Sequence, residues 1–494
     1  MSNSKKVLKS AFMLVGNGLA QKLIGLVSTL VLARVLLPED FALVAIASLV
    51  IMFIEVFTIT GSEQYILSKR SVSKSEVNSA WTLDIIVKGT ASIVALSLAF
   101  PLSLFYENPD LTPILLALGP VPLLSGLFNP GLWRLKRQQL YTLVVSIQVA
   151  SKILGVVVTI CIAVITKSYW ALIVGQLVTT LATCLLSYIV CYYRPSFCMQ
   201  HMSKQYGFST FMIGQELFGY LKSNIDTFFI SKSYSNAEFG NFHVMKYIAV
   251  IPSLNIMMPI AEPLLVVMSK HNKDMQQRAF KFTVTLMILL LISFPISLVM
   301  FVHSEQIVRI LLGEKWMDYH KILGYMGLLV TSFVVANHCK RALIIQRKTN
   351  LVFVYEIFAT ALVVFSVVSH LDSSIVVLVR ERVYIELWAV LVFFLTTAVY
   401  YLRSAVGKFF IKVLPMFISF ALLGVVYVKL SHSILLLTDS TFLFLALSLF
   451  VFFGSFLITL LMNYFIFYRY TEEGKYCLRI TLKLIGSLKN KNAR

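Results

Sequence analysis

The chain runs to 494 residues, 58% of them apolar and only 13% charged, with a mean hydropathy of +0.82. A soluble domain carries about 25% charged residues, so this composition excludes a soluble enzyme and a disordered chain alike. The net charge of +20 would point a soluble protein to nucleic acid; here the basic residues sit in short loops between apolar blocks, where they set topology and meet membrane lipids, and no nucleic-acid module accompanies them.

Apolar blocks long enough to cross a bilayer recur along the chain, and about 20 residues suffice for one crossing. They predict an all-α polytopic membrane protein of fourteen spans. The first six are Ser10–Arg34, Phe41–Ile59, Trp81–Phe105, Leu111–Leu132, Tyr141–Ile165 and Tyr169–Tyr193. Six more follow at Gly207–Ser231, Asn241–Met268, Phe280–Val302, Lys321–Leu343, Asn350–Ser369 and Ile375–Leu402. Phe409–Leu430 and Thr441–Phe467 complete the set. The opening apolar run is too long for a signal peptide and stays as the first span. The cysteines, Cys161, Cys184, Cys191, Cys198, Cys339 and Cys477, make no CxxC pair, so neither a disulfide framework nor a zinc site is expected.

Loop charges orient the spans. Clusters at Lys5/Lys6/Lys9, Lys69/Arg70/Lys74, Arg134/Lys136/Arg137, Lys270/Lys273, Lys340/Arg341 and the C-terminal tail all fall on one side. The other side holds only Arg34, Lys167, Lys232, Arg309, Lys315, Lys321 and Lys429. Both termini are therefore expected in the cytoplasm. In the tail, Leu478, Leu482, Ile485 and Leu488 make a stripe flanked by Lys475, Arg479 and Lys483, which reads as an interfacial helix.

The chain also repeats itself weakly. ARVLLPEDFALVA (Ala33–Ala45) matches SKSYSNAEFGNFH (Ser231–His243) at an offset of 198, setting Arg34 on Lys232, Asp40 on Glu238, Phe41 on Phe239 and Ala42 on Gly240. Parallel repeats of this kind place a transport site between them near the bilayer midplane.

GNGLAQKLIGLVSTLVLARVLLPEDFALVAIA (Gly16–Ala47) resembles the opening of the polysaccharide and O-antigen flippases of the MOP (multidrug/oligosaccharidyl-lipid/polysaccharide) exporter superfamily. NIDTFFISKSYSNAEFGNFHVMKYIAVIP (Asn224–Pro252), LWRLKRQQLYTLVVSIQVASKILGVVVTI (Leu132–Ile160) and YWALIVGQL (Tyr169–Leu177) extend the likeness over nearly the whole chain. Two departures are Ala42, where the family has Gly, and Arg380-Glu381-Arg382, which interrupts the twelfth span. The resemblance implies two pseudo-symmetric six-helix lobes, residues 1–200 and 201–404, then two further helices over 405–467 and a basic cytoplasmic tail over 468–494. It also implies a bacterial inner-membrane flippase for a polyprenyl-diphosphate-linked oligosaccharide, feeding O-antigen, capsule or exopolysaccharide synthesis beside a polysaccharide polymerase.

Ionisable residues inside spans mark candidate sites, because hydrocarbon cannot accommodate an unpaired charge. Asp84 and Lys88, four apart, are expected to pair. Lys22, Lys152 and Lys222 fall near the middle of spans one, five and seven, and span seven is polar enough for a hydropathy window nearly to miss it. Lys22 and Lys222 lie within two residues of equivalence at the repeat offset. Two such lysines across a cavity would hold a diphosphate, each as a compact charge with three donors. The expected substrate contacts are Lys22, Lys222, Lys152, Asn17 and Gln21. The candidates for proton or sodium coupling are Glu216, Asp226 and Glu262. Prolines in span four (Pro120, Pro122, Pro130) and span eight (Pro252, Pro259, Pro263) suit helices that bend.

No P-loop, HExxH or other catalytic constellation emerges, so the expected protein is a transporter and not an enzyme, with no bound cofactor. Two other readings stay open at this point: an ion-coupled multidrug exporter of the same superfamily, and a membrane-embedded polysaccharide-assembly transferase.

Overall fold

The computed structural model describes residues 3–69, 71–138, 140–261, 275–435 and 441–463. Glu262, Pro263 and the tail stripe from Leu478 to Leu488 lie outside the described residues. The described chain divides by its internal contacts into two compact units, Met1–Val244 and Met245–Arg494.

In the first unit the helices are α1 (Asn3–Val35), α2 (Pro38–Val56), α3 (Ser62–Ser68), α4 (Lys74–Phe105), α5 (Leu111–Leu118), α6 (Val121–Gly126) and α7 (Gly131–Arg137). They continue with α8 (Tyr141–Thr166), α9 (Trp170–Val190), α10 (Met202–Ser233) and the start of α11 (Asn236–Pro252). The expected fourth span is broken into α5, α6 and α7, with a bend of 53° before α7. Asn129 fixes that bend: its Oδ1 accepts from the Gly131 N–H at 2.8 Å and its side-chain amide donates to the Tyr193 carbonyl at 2.9 Å.

Helices α8 and α9 pack against each other on small residues. A Cβ on Gly155 would fall 1.8 Å from Thr179 Oγ1, and one on Gly175 would fall 1.6 Å from Thr159 Oγ1. Thr159 and Thr179 donate back to the Gly155 and Gly175 carbonyls, each at 2.8 Å, so no hydroxyl is stranded in the contact. Close backbone approach of this kind supplies the dispersion that holds helices together in lipid, where no hydrophobic force separates helix from solvent.

Between α9 and α10 the chain is extended and stitched to α4. Asn78 donates to Ser196 Oγ at 2.6 Å, the Cys198 N–H donates to Thr82 Oγ1 at 3.0 Å, and the His201 N–H donates to Ser79 Oγ at 3.2 Å. This strap fixes where α10 starts.

The second unit contains the rest of α11, a π-helical turn (Ser253–Met257), α12 (Met275–Val302), α13 (Ser304–Leu311), α14 (His320–Ile345), α15 (Thr349–Ser369), α16 (Ile375–Leu402), α17 (Val406–Leu435) and α18 (Thr441–Asn463). The π turn follows directly on Pro252, whose ring cannot donate into the regular ladder. The core is aromatic: Phe282, Phe393, Phe394, Phe409 and Phe420 are buried together, and Phe294 stacks on Phe420 at 4.4 Å. Helix α16 runs unbroken through Arg380–Arg382, over the whole of the expected span Ile375–Leu402. Arg380 pairs with Glu381 at 2.8 Å and Arg382 with Glu386 at 3.0 Å, so the charges neutralise one another on the helix and the backbone need not break.

Among the described residues, eleven helices are long and apolar enough to cross a membrane, or twelve if the bent pair at Leu111–Arg137 is one span. This is a multi-pass membrane protein. Two long helices fall outside that number for a chemical reason: α2 (19 residues) carries Glu39, Asp40 and Glu55, and α10 (32 residues) is polar through its middle.

The two turns matched at the 198 offset share a local geometry. Asp40 Oδ2 accepts from the Leu37 N–H at 2.9 Å, and Glu238 Oε2 accepts from the Ser235 N–H at 3.1 Å. In each, an acid three residues into the helix caps the first turn, where the helix dipole favours negative charge.

Candidate functional site

Helix α2 ends where Thr58-Ile59-Thr60-Gly61 begins, a run of β-branched residues followed by a glycine that favours leaving the helix. Its hydroxyls then tie the corner down. Thr58 donates to the Glu55 carbonyl at 2.7 Å, Ser62 donates to Thr60 Oγ1 at 2.8 Å, and Thr60 donates to the Asp84 carboxylate on α4. One turn along α4, Lys88 lies 3.7 Å from Asp84, the pair expected from their spacing. On the far side of the corner, Lys136 of α7 reaches Glu63 of α3 at 2.6 Å.

These groups face a polar cavity of about 910 Å3 within the first unit. Its wall carries Glu55, Glu63, Asp84, Lys88, Lys136 and Glu216, with Trp133 and Tyr220 as aromatic faces. An ion pair lining a cavity inside apolar helices is held by its partner and by nearby hydroxyls, because hydrocarbon offers it neither. Four carboxylates stand against two lysines here, and both lysines are already paired with carboxylates of the wall.

The residues expected from the sequence divide into groups. Asn17 and Gln21 of α1 come together with Gln148 of α8: Asn17 donates to Gln148 Oε1 at 2.8 Å, and Gln21 donates to Asn17 Oδ1 at 3.0 Å. Gln148 lines the polar cavity, and so does Glu216. Lys22 is exposed on α1, Lys152 is half-buried on α8, and Lys222 is half-buried on α10; none of the three is among the residues that line the cavity. Asp226 is buried at 1% exposure, and its Oδ1 accepts from the Thr227 N–H at 2.7 Å.

In the sequence Lys136 reads as a loop charge, and neither Glu63 nor Glu55 is assigned to a site. The signal was present in Thr58–Gln64, a polar, glycine-bearing stretch interrupting an apolar helix, followed by Asp84 and Lys88 one turn apart.

A second cavity in the same unit, about 640 Å3, has an almost wholly apolar wall built by α2, α4 and α10. Thr58, Tyr220 and Asn224 line both cavities.

Residues 31–321 match the family model described as "Polysaccharide biosynthesis protein", which covers more than half of the chain. The chain belongs to this family. Lipopolysaccharide biosynthesis protein WzxC of Escherichia coli K12 is 22% identical over 355 residues, 70% of this chain and 71% of that protein. Succinoglycan biosynthesis transport protein ExoT of Rhizobium meliloti is 21% identical over 306 residues, 60% of this chain and 61% of that protein. The fold is that of the lipid II flippase MurJ in an inward closed conformation, with a TM-score of 0.71 at 13% identity, covering 90% of this chain and 97% of that one. A multidrug-resistance MATE transporter of the MOP superfamily in an inward-facing conformation follows at a TM-score of 0.58 and 12% identity, covering 78% of this chain and 96% of that one.

Proposed function

We propose that this family member is a flippase that carries a polyprenyl-diphosphate-linked oligosaccharide from the cytoplasmic to the outer leaflet by alternating access. The observation that carries the reading is a roomy polar cavity set among membrane helices in a chain of the polysaccharide biosynthesis family. A sugar head rich in hydroxyls cannot enter hydrocarbon unescorted, since each unsatisfied polar group there costs several kcal/mol. Carboxylates such as Glu55, Glu63, Asp84 and Glu216 accept hydrogen bonds from sugar hydroxyls, and the Trp133 face offers a surface for a sugar ring. Lys22, Lys152 and Lys222, with Asn17 and Gln21, are the proposed contacts to the diphosphate. Glu216, Asp226 and Glu262 are the proposed carriers of a coupling proton or sodium ion. The chemistry asked of these groups is binding and release; the protein makes and breaks no covalent bond.

In this reading α2 and α10 also cross the bilayer and the bent α5–α7 segment is one span, which gives fourteen crossings with both termini in the cytoplasm of a bacterial inner membrane. The repeats at the 198 offset open the two six-span lobes. The same cell surface pathway supplies a polymerase that receives the flipped unit.

A second reading, export of cationic compounds by a multidrug exporter, is favoured by one observation: the excess of carboxylates over lysines in the polar cavity. Proteoliposomes separate the two. With the purified protein, a polyprenyl-diphosphate-linked oligosaccharide placed in one leaflet should become accessible to an impermeant glycosidase on the other side, while ethidium flux stays at the protein-free level. Ethidium flux without oligosaccharide movement would install the exporter reading.

A further inference from the structure

The polar cavity and the apolar cavity of the first unit share a wall, and the polarity changes across a few side chains. On α10, Leu221 lines the apolar side, Ser223 the polar side, and Tyr220 and Asn224 both. On α4, Val87 lines the apolar side and the adjacent Lys88 the polar side. At the end of α2, Glu55 lines the polar side, Phe57 just past the helix the apolar side, and Thr58 both. From this shared rim the apolar groove runs along α4 through Val94 and Leu98 to Phe105.

We infer that this groove between α2, α4 and α10 binds the first isoprene units of the substrate's polyprenyl chain, which leaves the polar cavity over the Thr58–Tyr220–Asn224 rim. The inference rests on the lipid-linked substrate proposed above. A head held in the polar cavity must send its chain out across some edge of that cavity, and this edge opens directly onto an apolar channel of about 640 Å3. Chain and lipid are equally apolar, so the groove holds the chain by dispersion and keeps it off the charged wall next door.

The walls are also fixed, which distinguishes the groove from an ordinary lipid-facing surface. The Tyr220 hydroxyl donates to the Leu49 carbonyl at 2.5 Å, and its ring lies 5.8 Å from that of Phe53. At the far end Phe105 stacks on Phe228 at 6.4 Å, and Lys232 lies 5.0 Å over the Phe105 ring while pairing with Glu107 at 3.1 Å. Preset aromatic walls leave little of the protein to be ordered on binding a chain. Lys222, one of the proposed diphosphate contacts, stands between Tyr220 and Asn224 of the rim on α10.

The test uses the full-length protein in phosphatidylethanolamine–phosphatidylglycerol vesicles. The probe is a sugar-free polyprenyl diphosphate carrying a diazirine on an isoprene unit near the diphosphate; a phosphatidylglycerol with an acyl-chain diazirine is the comparator. The prenyl probe should label peptides of α2, α4 and α10, unlabelled polyprenyl diphosphate should suppress that labelling, and the phospholipid probe should not be displaced. Val94→Trp and Leu98→Trp, at positions 45% and 37% exposed and so tolerant of bulk, should each cut the labelling about tenfold, roughly 1.4 kcal/mol of lost affinity. Saturable labelling confined to other peptides overturns the groove and leaves the lipid-linked substrate standing. Equal labelling of the groove by both probes, undisplaced by polyprenyl diphosphate, overturns it as a general lipid surface. The absence of any saturable labelling by the prenyl probe overturns the flippase reading itself, and the groove with it.

Discussion

Replacing Gly240 by alanine would put a methyl group into the backbone of α2. The added Cβ would lie 1.8 Å from the Pro38 carbonyl oxygen, 2.6 Å from its carbon and 3.2 Å from its Cα. A carbon meets a carbonyl oxygen at about 3.3–3.6 Å, so the first turns of α2 and α11 must part by about 1.5 Å. No side-chain rotation relieves the clash, because every atom met belongs to the main chain. Overpacking of this kind costs about 1–3 kcal/mol where the contact is kept. In a transporter that alternates between two states, the same energy works against whichever state holds Pro38 on Gly240, shifting the equilibrium about 5- to 150-fold. The reporter is Ala42→Cys, fully buried in the first helical turns after Pro38, in a background where the native cysteines are serine. Labelling by an impermeant maleimide should speed up about tenfold or more when Gly240→Ala is added, and surface polysaccharide should fall. Unchanged labelling together with unchanged export would refute the idea that this contact is one the transport cycle must open.

Two further outcomes test the site and the topology. Lys22→Ala and Lys222→Ala should each sharply reduce surface polysaccharide at normal protein level, with arginine partly restoring it, since a diphosphate asks for charge more than for one shape; normal export by both alanine variants would remove the lysines from the site. The Cys198 thiol, hydrogen-bonded to Ser75 at 3.3 Å, has its pKa held below the ordinary thiol value chiefly by that contact. Its alkylation should therefore reach its plateau at lower pH than in Ser75→Ala, and an impermeant reagent should reach it only from the cytoplasmic side; labelling from outside would invert the topology.

The all-helical membrane fold was legible because hydrocarbon leaves so little choice: apolar blocks of bilayer length had to be helices, and α15 and α16 fall within a residue of the expected spans. The acid-capped turns at Asp40 and Glu238 were legible as a repeat for the same reason, since a helix start asks for an acceptor at that position. The break of the fourth span was harder to read. Prolines predict a kink, but its place depends on Asn129 bonding to Tyr193, more than 60 residues away. Arg380–Arg382 stand inside the twelfth span without breaking it because Glu381 and Glu386 pair with the two arginines. The polar cavity stayed hidden because its charged parts come from five helices: Glu63 and Lys136 look like solvated loop charges in sequence and become an ion pair only when α3 meets α7.

The most direct measurement is the leaflet distribution of the lipid-linked precursor in a strain lacking this gene. The polyprenyl-diphosphate-linked oligosaccharide should accumulate on the cytoplasmic leaflet, surface polysaccharide should be depleted, and sensitivity to cationic dyes should hardly change. Intact surface polysaccharide with no precursor accumulation and a marked gain in dye sensitivity would contradict the flippase reading.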